Sequence, residues 1–503
     1  MESEQSAHDE RLSQEDVRRE KRARLLEAGH PPYPVVVPRT HTLAEVREQW
    51  GHLETGEETQ DEVGVAGRVM FVRNTGKLCF ATLQEGIGTR LQVMLSLAEV
   101  GEEALESWKH DVDLGDHVFV RGRVISSRRG ELSVMASQWQ MASKALRPLP
   151  VLHKDLSEES RVRQRYADLI VRQEARDMVR TRAAVLRSVR ATLDQAGFVE
   201  VETPMLQLMH GGAAARPFTT HMNAFDQDMT LRIALELHLK RAVVGGVDRV
   251  YEIGKTFRNE GVDSTHAPEF TMLEFYEAYG DQFTAADRTK SIILNAAVAA
   301  GVGTSLVDYR GNEIDLSGEW RWLPIGDAVA EALGEEVSFE ETAENVTRLR
   351  KLADAREVSL KPSWGVGEIV LELYEQLVEE TLIQPTFVCD YPTSVRPLAR
   401  EHRSKPGVVE AWDLIIGGVE LAPSYSELVD PVVQRERLTE QSLLAAGGDP
   451  EAMQLDEDFL RALEYGAPPM GGTGLGIDRM IMLLTGVGIR ETMLFPHLRP
   501  EAH

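Results

Sequence analysis

From Phe257 to Tyr279 the chain reads FRNEGVDSTHAPEFTMLEFYEAY, which sets Arg258 and His266 beside Glu260, Glu274 and Tyr276. A guanidinium and an imidazole suit phosphate or carboxylate oxygens, whereas carboxylates with a phenol suit an ammonium. RVYEI before the stretch and EFTMLEFYEAY at its end are rich in β-branched and aromatic residues, and NEGVDSTHAP between them carries turn chemistry. Two strands joined by a long polar loop are therefore expected. Alternation on the second strand puts Phe270, Met272, Glu274 and Tyr276 on one face and Leu273 and Phe275 on the other. The face with Glu274 cannot be plain core, because a buried carboxylate without a partner is costly. It calls for a cationic ligand or for an internal Lys or Arg.

A second cluster lies in AWDLIIGGVELAPSYSEL, Ala411 to Leu428. Gly417 and Gly418 read as a two-residue hairpin turn that pairs Ile415 with Glu420 and Asp413 with Ala422. Asp413 and Glu420 then become diagonal neighbours on one face, with no basic residue close by in sequence. Two such carboxylates are ligands that Mg²⁺ prefers together with substrate phosphates. Further on, GGTGLGIDR, Gly471 to Arg479, gives a glycine-lined strand followed by Arg479 at the start of an apolar helix, an arrangement suited to a nucleotide phosphate. It is no dinucleotide loop, since its spacing is GxGxG and no βαβ unit surrounds it. IGKTF at Ile253 to Phe257 fails as a P-loop because Arg249 stands where glycine is required.

These residues need a scaffold, and its divisions are legible. From Glu62 to Trp139 run VGVAGRVMFV, KLCFATLQ, RLQVMLSL, HVFVRGRVISS and ELSVMAS, each bounded by turn residues. This predicts a five-stranded barrel of the oligonucleotide-binding type, with a helical insert at LAEVGEEALESWKHD. Arg73, Phe80, Gln92 and Glu131 could there supply a stacking ring and polar contacts to unpaired bases. A Pro-containing connector leads to a larger α+β part on a mainly antiparallel sheet, whose first helix is expected over Ala175 to Gln195. The boundaries expected are 1–60 for an N-terminal helical extension, 61–150 for the barrel and 151–503 for the larger domain. Residues from Gln282 to Val366 read as helical.

The 503 residues carry a net charge of -26, the wrong sign for general nucleic-acid binding, so any such contact must use local patches. RREKRAR, Arg18 to Arg24, is one candidate, with a solvated helix face as its alternative. Cys79 and Cys389 lie far apart without CxxC spacing, which suggests neither a disulfide framework nor a zinc site. No apolar run is long enough for a membrane span, and the N-terminal sequence lacks the pattern of a secretory signal; a cytoplasmic location is expected.

Together the segments resemble the class II aminoacyl-tRNA synthetases, most closely the bacterial lysyl-tRNA synthetases. FVEVETPML is similar to the dimer-forming first motif, with Pro204 as its proline. FRNEG with HAPEFTMLEFY resembles the second, and GTGLGIDR the third. The resemblance covers nearly the whole chain, including the barrel and the C-terminal LFPHLRP.

The resemblance implies an ATP- and Mg²⁺-dependent enzyme, a homodimer, that activates L-lysine and passes it to tRNA(Lys). Residue by residue, it implies that Arg258 holds the ATP α-phosphate and the lysine carboxylate, Glu260 reads the adenine amine and Phe270 stacks on adenine. Arg479 would clamp the γ-phosphate with His266 close by, while Asp413 and Glu420 would hold Mg²⁺. Glu236, Tyr276 and Glu427 would receive the ε-ammonium, with Glu274 near the α-amino group and Tyr425 beside the pocket. Arg73, Phe80, Gln92 and Glu131 would read the anticodon. A paralogue that activates lysine or an analogue for a non-tRNA acceptor is the alternative. The chain departs from the usual pattern at Leu235, where proline precedes the substrate glutamate, at Ala267, and at Pro423 and Ser424, where Asn or Thr is followed by Gly.

Overall fold

The computed structural model describes residues 13–86, 88–150, 157–263, 265–308, 310–447 and 452–500. It divides into two compact units, Met1–Asp177 and Met178–His503. Residues 151–156, part of the connector, lie outside the described residues.

In the first unit β1 (Glu58–Asn74), β2 (Leu78–Glu85), β3 (Thr89–Ser96), β4 (His117–Ser126) and β5 (Leu132–Ser143) form a closed barrel in the order β1-β2-β3-β5-β4. Period-two alternation turns Val63, Val65, Ala81, Leu83, Leu91, Val93, Val120 and Val134 inward to fill it. The basic run lies on the helix Gln14–Glu27, where much of its charge is used internally. Arg18 is buried and donates to the carbonyls of Leu114 and Ala145, and Lys21 and Arg24 pair with Asp113 and Asp111.

The second unit contains β6 (Val199–Glu200), then β7 (Leu206–Gln207), β8 (Thr219–Met222) and β9 (Gln227–Leu231) as a small separate sheet, then β10 (Arg249–Phe257) and β11 (Glu269–Ala278). A ribbon of β12 (Ser305–Val307) and β13 (Glu313–Asp315) precedes β14 (Arg321–Pro324), β15 (Thr386–Cys389), β16 (Ala411–Ile416), β17 (Val419–Ser426) and β18 (Met470–Gly476). The main sheet has eight strands in the order β14-β15-β16-β17-β18-β11-β10-β6. It is mixed, which corrects the expectation of a mainly antiparallel sheet. The strands from β15 to β10 run antiparallel, but β6 pairs with β10 and β14 with β15 in parallel. Each of these edge pairs is joined by a crossover that contains helix, as parallel strands require.

The segment expected to be wholly helical therefore contains three short strands, one of them a strand of the main sheet. Its first helix, Gln282–Ala300, is as its ends predict: Asp281 caps the N-terminus and Gly301, at φ 76°, closes the C-terminus. The helix packs Ala285, Ile292, Ile293 and Ala296 with Leu273, Phe275, Trp412, Leu414 and Leu475 into one core. That core covers one face of the sheet and leaves the face of Glu274 and Tyr276 for a cavity. The first long helix runs over Gln173–Gln195, two residues earlier than expected at its start.

Candidate active site

A cavity of about 310 Å³ in the second unit is lined by all twelve catalytic-unit residues singled out in the sequence: Glu236, Arg258, Glu260, His266, Phe270, Glu274, Tyr276, Asp413, Glu420, Tyr425, Glu427 and Arg479. Phe270, Met272, Glu274 and Tyr276 enter it from β11, while Leu273 and Phe275 face the core behind, as alternation required.

At one end the guanidinium of Arg258 lies 5.3 Å from the ring centroid of Phe270. Burial pulls its pKa down against the attraction of Glu260, Glu420 and Glu274. Arg479 donates from Nη1 to the Glu420 carbonyl at 2.7 Å, and its Nη2 lies 3.2 Å from His266 Nε2. His266 Nδ1 lies 2.9 Å from Asp263 Oδ2. An Nδ1–H that donates to Asp263 leaves Nε2 free to accept from Arg479, so the imidazole couples a carboxylate to the guanidinium. Two residues missed in the sequence fix this end. Asp478 accepts from the Thr271 amide at 2.7 Å and from Arg182 at 2.5 Å, which ties the Arg479 helix to β11.

The hairpin carries a correction. Ile415 pairs with Glu420 as expected, but Asp413 pairs with Pro423 rather than Ala422. A one-residue bulge at Leu421 shifts the register, and a bulge of this kind re-aims the side chains beside it. Asp413 and Glu420 both still reach the cavity. Asp413 also has a basic partner that its local sequence did not reveal, Arg396 at 2.5 Å. Burial and Glu420 raise the pKa of Asp413 while Arg396 opposes them. Glu379 joins this cluster: burial, then Glu420, Asp413 and Glu375, push its carboxyl up to about 8, while Arg479 opposes them. Such an excess of carboxylate fits a divalent cation at Asp413 and Glu420. No three Asp, Glu, His or Cys residues among the described residues could hold a metal ion by themselves, so a cation there would need ligands from another molecule.

The opposite end is acidic and buried. Glu236 opens the helix Glu236–Val244, and one turn later Lys240 sends its ammonium to 2.5 Å from Glu236 Oε1 and 2.5 Å from Glu427 Oε2. The two carboxylates expected to receive a substrate ammonium thus already share an internal one. ELHLK placed Glu236 and Lys240 one turn apart, and this spacing was the signal that could have found the pair. Burial pulls Lys240 down, but Glu236 and Glu427 outweigh it and hold it at about 12. Burial and Glu236 push Glu274 up to about 7, although the Leu235 amide at 2.9 Å and the Tyr276 hydroxyl at 3.1 Å both donate to it.

The departures from the usual pattern each have a local setting. Proline at position 235 would lack the N–H that serves Glu274. Ala267 packs in a small apolar cluster with Phe270, Met482, Ile489 and Met493. Pro423 precedes the point where β17 begins to pair with β18, at Ser424. Ser424 is not at positive φ, and its buried hydroxyl donates to the Gly472 carbonyl at 2.6 Å and accepts from Thr473 at 3.0 Å. Gly472 itself cannot be replaced cheaply, because a Cβ there would lie 2.3 Å from both Glu427 and Tyr276.

In the first unit the register sets Arg73 opposite Phe80, Thr82 opposite Gln92 and Gln92 opposite Ser133, so three of the four expected barrel residues share one face of β1-β2-β3-β5. Gln92 donates to Ser133 at 2.8 Å, and Glu131, just before β5, pairs with Arg47 at 3.2 Å. Phe71, two residues before Arg73 and 54% exposed, adds a second ring that the sequence reading missed.

The family described as tRNA synthetases class II (D, K and N) matches residues 157–499, and the OB-fold nucleic acid binding domain matches residues 63–142. A lysine–tRNA ligase of Kineococcus radiotolerans is 60% identical over 487 residues, covering 96% of this chain and 97% of that protein. One from Mycobacterium bovis is 57% identical over 494 residues, covering 97% of each. A lysylphosphatidylglycerol biosynthesis bifunctional protein of Mycobacterium marinum is 49% identical over 490 residues, covering 96% of this chain and 43% of that protein.

Proposed function

The chain belongs to the class II tRNA synthetases of the aspartate, lysine and asparagine group, and from that premise we propose that it is a lysine–tRNA ligase. It activates L-lysine with ATP and transfers it to the 3′ end of tRNA(Lys). The observation that carries the choice of lysine is the buried acidic end of the cavity, where Glu236, Glu274, Glu427 and Tyr276 converge. An aspartate- or asparagine-specific site would instead need a cation facing the substrate side chain.

In the first step the lysine carboxylate attacks the α-phosphorus and pyrophosphate leaves, giving lysyl-adenylate; a ribose hydroxyl of the tRNA then displaces AMP. No protein nucleophile is required, so the residues act by alignment and charge. Arg258 holds the lysine carboxylate against the α-phosphate, Phe270 and Glu260 hold adenine, and Arg479 with His266 draws the γ-phosphate away from the reacting centre. Asp413 and Glu420 would hold Mg²⁺, which neutralises phosphate charge when bound. Glu420→Gln should raise the Mg²⁺ needed for adenylate formation; an unchanged Mg²⁺ titration would remove that assignment.

We assign residues 1–60 to a helical extension, 61–150 to anticodon binding through Arg73, Phe80, Gln92 and Glu131, and 151–503 to catalysis. A homodimer through the first motif is supported by the exposed Val199, Met205, Leu206 and Leu208, and sedimentation would test it. No helix among the described residues is long and apolar enough to cross a membrane. A cytoplasmic site of action accords with the activity. Pyrophosphate exchange with each amino acid tests the substrate: exchange driven better by any amino acid than by lysine would overturn the assignment. Charging of total tRNA then separates a tRNA acceptor from any other.

A further inference from the structure

The internal ammonium of Lys240 raises a question of charge. Three buried carboxylates, Glu236, Glu274 and Glu427, line one cavity together with Arg258, and Lys240, buried beside the cavity, pairs with two of them, Glu236 and Glu427. The neighbouring charges are set apart from these: at the other end of the cavity Glu420 and Arg479 carry opposite charges, and Glu260 is exposed. Glu252, opposite Glu274 in the β10–β11 register, pairs with Arg232 at 2.7 Å, and Asp413 pairs with Arg396. Tyr276 and Tyr425 also face the group, and burial raises both phenols further above their ordinary value. With every carboxyl ionised, the set carries one negative charge in excess.

We propose that Lys240 is a specificity-determining residue of the amino-acid pocket: as the fixed counter-ion shared by Glu236 and Glu427, it sets how many ammonium charges the pocket accepts and couples lysine binding to release of one proton. This rests on the lysine assignment above.

Lysine brings two ammonium groups and one carboxylate, a net charge of one, which matches the excess. The complex therefore balances with every group ionised. Buried carboxylates in excess of their cations are costly to keep ionised, so without a substrate ammonium the cluster takes up a proton. The elevation of Glu274 to about 7 is consistent with a shared proton on the carboxyl cluster, which also includes Glu427, raised by burial against the pull of Lys240. A neutral amino acid of the same length displaces no proton and leaves the second ammonium position unfilled. Without Lys240 the excess would be two charges, and a pocket filled with lysine would still carry one.

The test is a calorimetric proton count, made in two buffers of different ionisation heat, together with the lysine KM for pyrophosphate exchange. Wild-type protein should release about one proton per lysine and none with norleucine. Its lysine KM should fall roughly tenfold per pH unit below about pH 7 and then level off. Glu236→Gln removes the excess charge, so its proton release should vanish and its lysine KM should rise at least tenfold.

Adding Lys240→Met to Glu236→Gln restores the balance. The double variant should regain both the proton and most of the lysine affinity, while the KM for ATP does not follow. Improvement on removing a buried lysine is not what a merely structural role would give. Should Glu236→Gln fail to fold, the double variant still decides, since one proton per lysine is expected and none overturns the proposal. Lysine-driven exchange with a double variant no better than Glu236→Gln overturns the role of Lys240 alone. Absence of lysine-driven exchange in the wild type overturns the pocket assignment with it.

Discussion

Leu235 gives the proposed amino-acid pocket a donor that a proline at the same place would lack. Its amide reaches Glu274 Oε1 at 2.9 Å and stabilises the ionised carboxylate against burial. Leu235→Pro should therefore weaken lysine binding by about 1 kcal/mol, roughly fivefold in KM at neutral pH. Leu235→Ala keeps the N–H and should keep the lysine KM; equal losses in both variants would point to packing instead. Side chains such as Arg258, His266 and Glu274 were legible because they crowd one stretch of sequence and strand alternation sorts their directions. The link from Glu236 to Lys240 was available as one helical turn. Glu427, which completes the triad, was placed with Glu236 by the resemblance alone, because only the fold brings the end of β17 against that helix. Arg396 beside Asp413 escaped for the same reason.

The β16–β17 hairpin shows how an element can obey its turn signal and still differ in register. Gly417 and Gly418, at φ 65° and 68°, form the expected turn, yet nothing in ELAPS announces the bulge at Leu421. Gly418 is held twice over: its φ disfavours a side chain, and a Cβ would meet the Glu380 carbonyl oxygen at 2.7 Å. Gly418→Ala should cost more than about 1 kcal/mol in urea unfolding and raise the Mg²⁺ requirement through Glu420. Gly417→Ala, which meets only side-chain atoms at 3.3 Å, should cost less.

The opposite ends of these strands depend on Glu410, which accepts from Ser426 at 2.7 Å and from Arg403. Burial alone would raise its pKa, but these donors outweigh it and lower it from 4.5 to about 2. A depressed carboxylate stabilises the fold above its unfolded pKa, and that contribution disappears as pH falls from about 4.5 towards about 2. Glu410→Gln should thus be less stable than wild type at pH 7, and the gap between their urea midpoints should narrow steadily below about pH 4.5. A gap independent of pH would assign the loss to packing.

Two compact units permit their functions to be separated by mutation. Phe80→Ala should weaken tRNA charging by roughly 1–3 kcal/mol and leave ATP–pyrophosphate exchange intact, and Phe71→Ala should behave alike if its exposed ring also stacks on a base. Loss of exchange as well would mean damage to folding. The barrel and the three-motif catalytic unit could be read in the chain because each repeats a local pattern, alternation with turns in one and charged stretches beside glycines in the other. The parallel edges of the sheet could not, since β6 and β14 are too short to show a period and owe their place to crossovers.

Strand β11 also fixes a length. Phe270 and Tyr276 stand six residues apart on one rigid central strand, roughly 20 Å at the usual rise. Hydrogen bonds to β10 and β18 on either side leave that span little freedom to stretch. A synthetic ligand that joins an adenine to a primary ammonium through an inert tether would meet this span as a gauge. A tether that matches it should gain the affinity of both ends through effective concentration, whereas one a few ångströms short should bind no better than its stronger half.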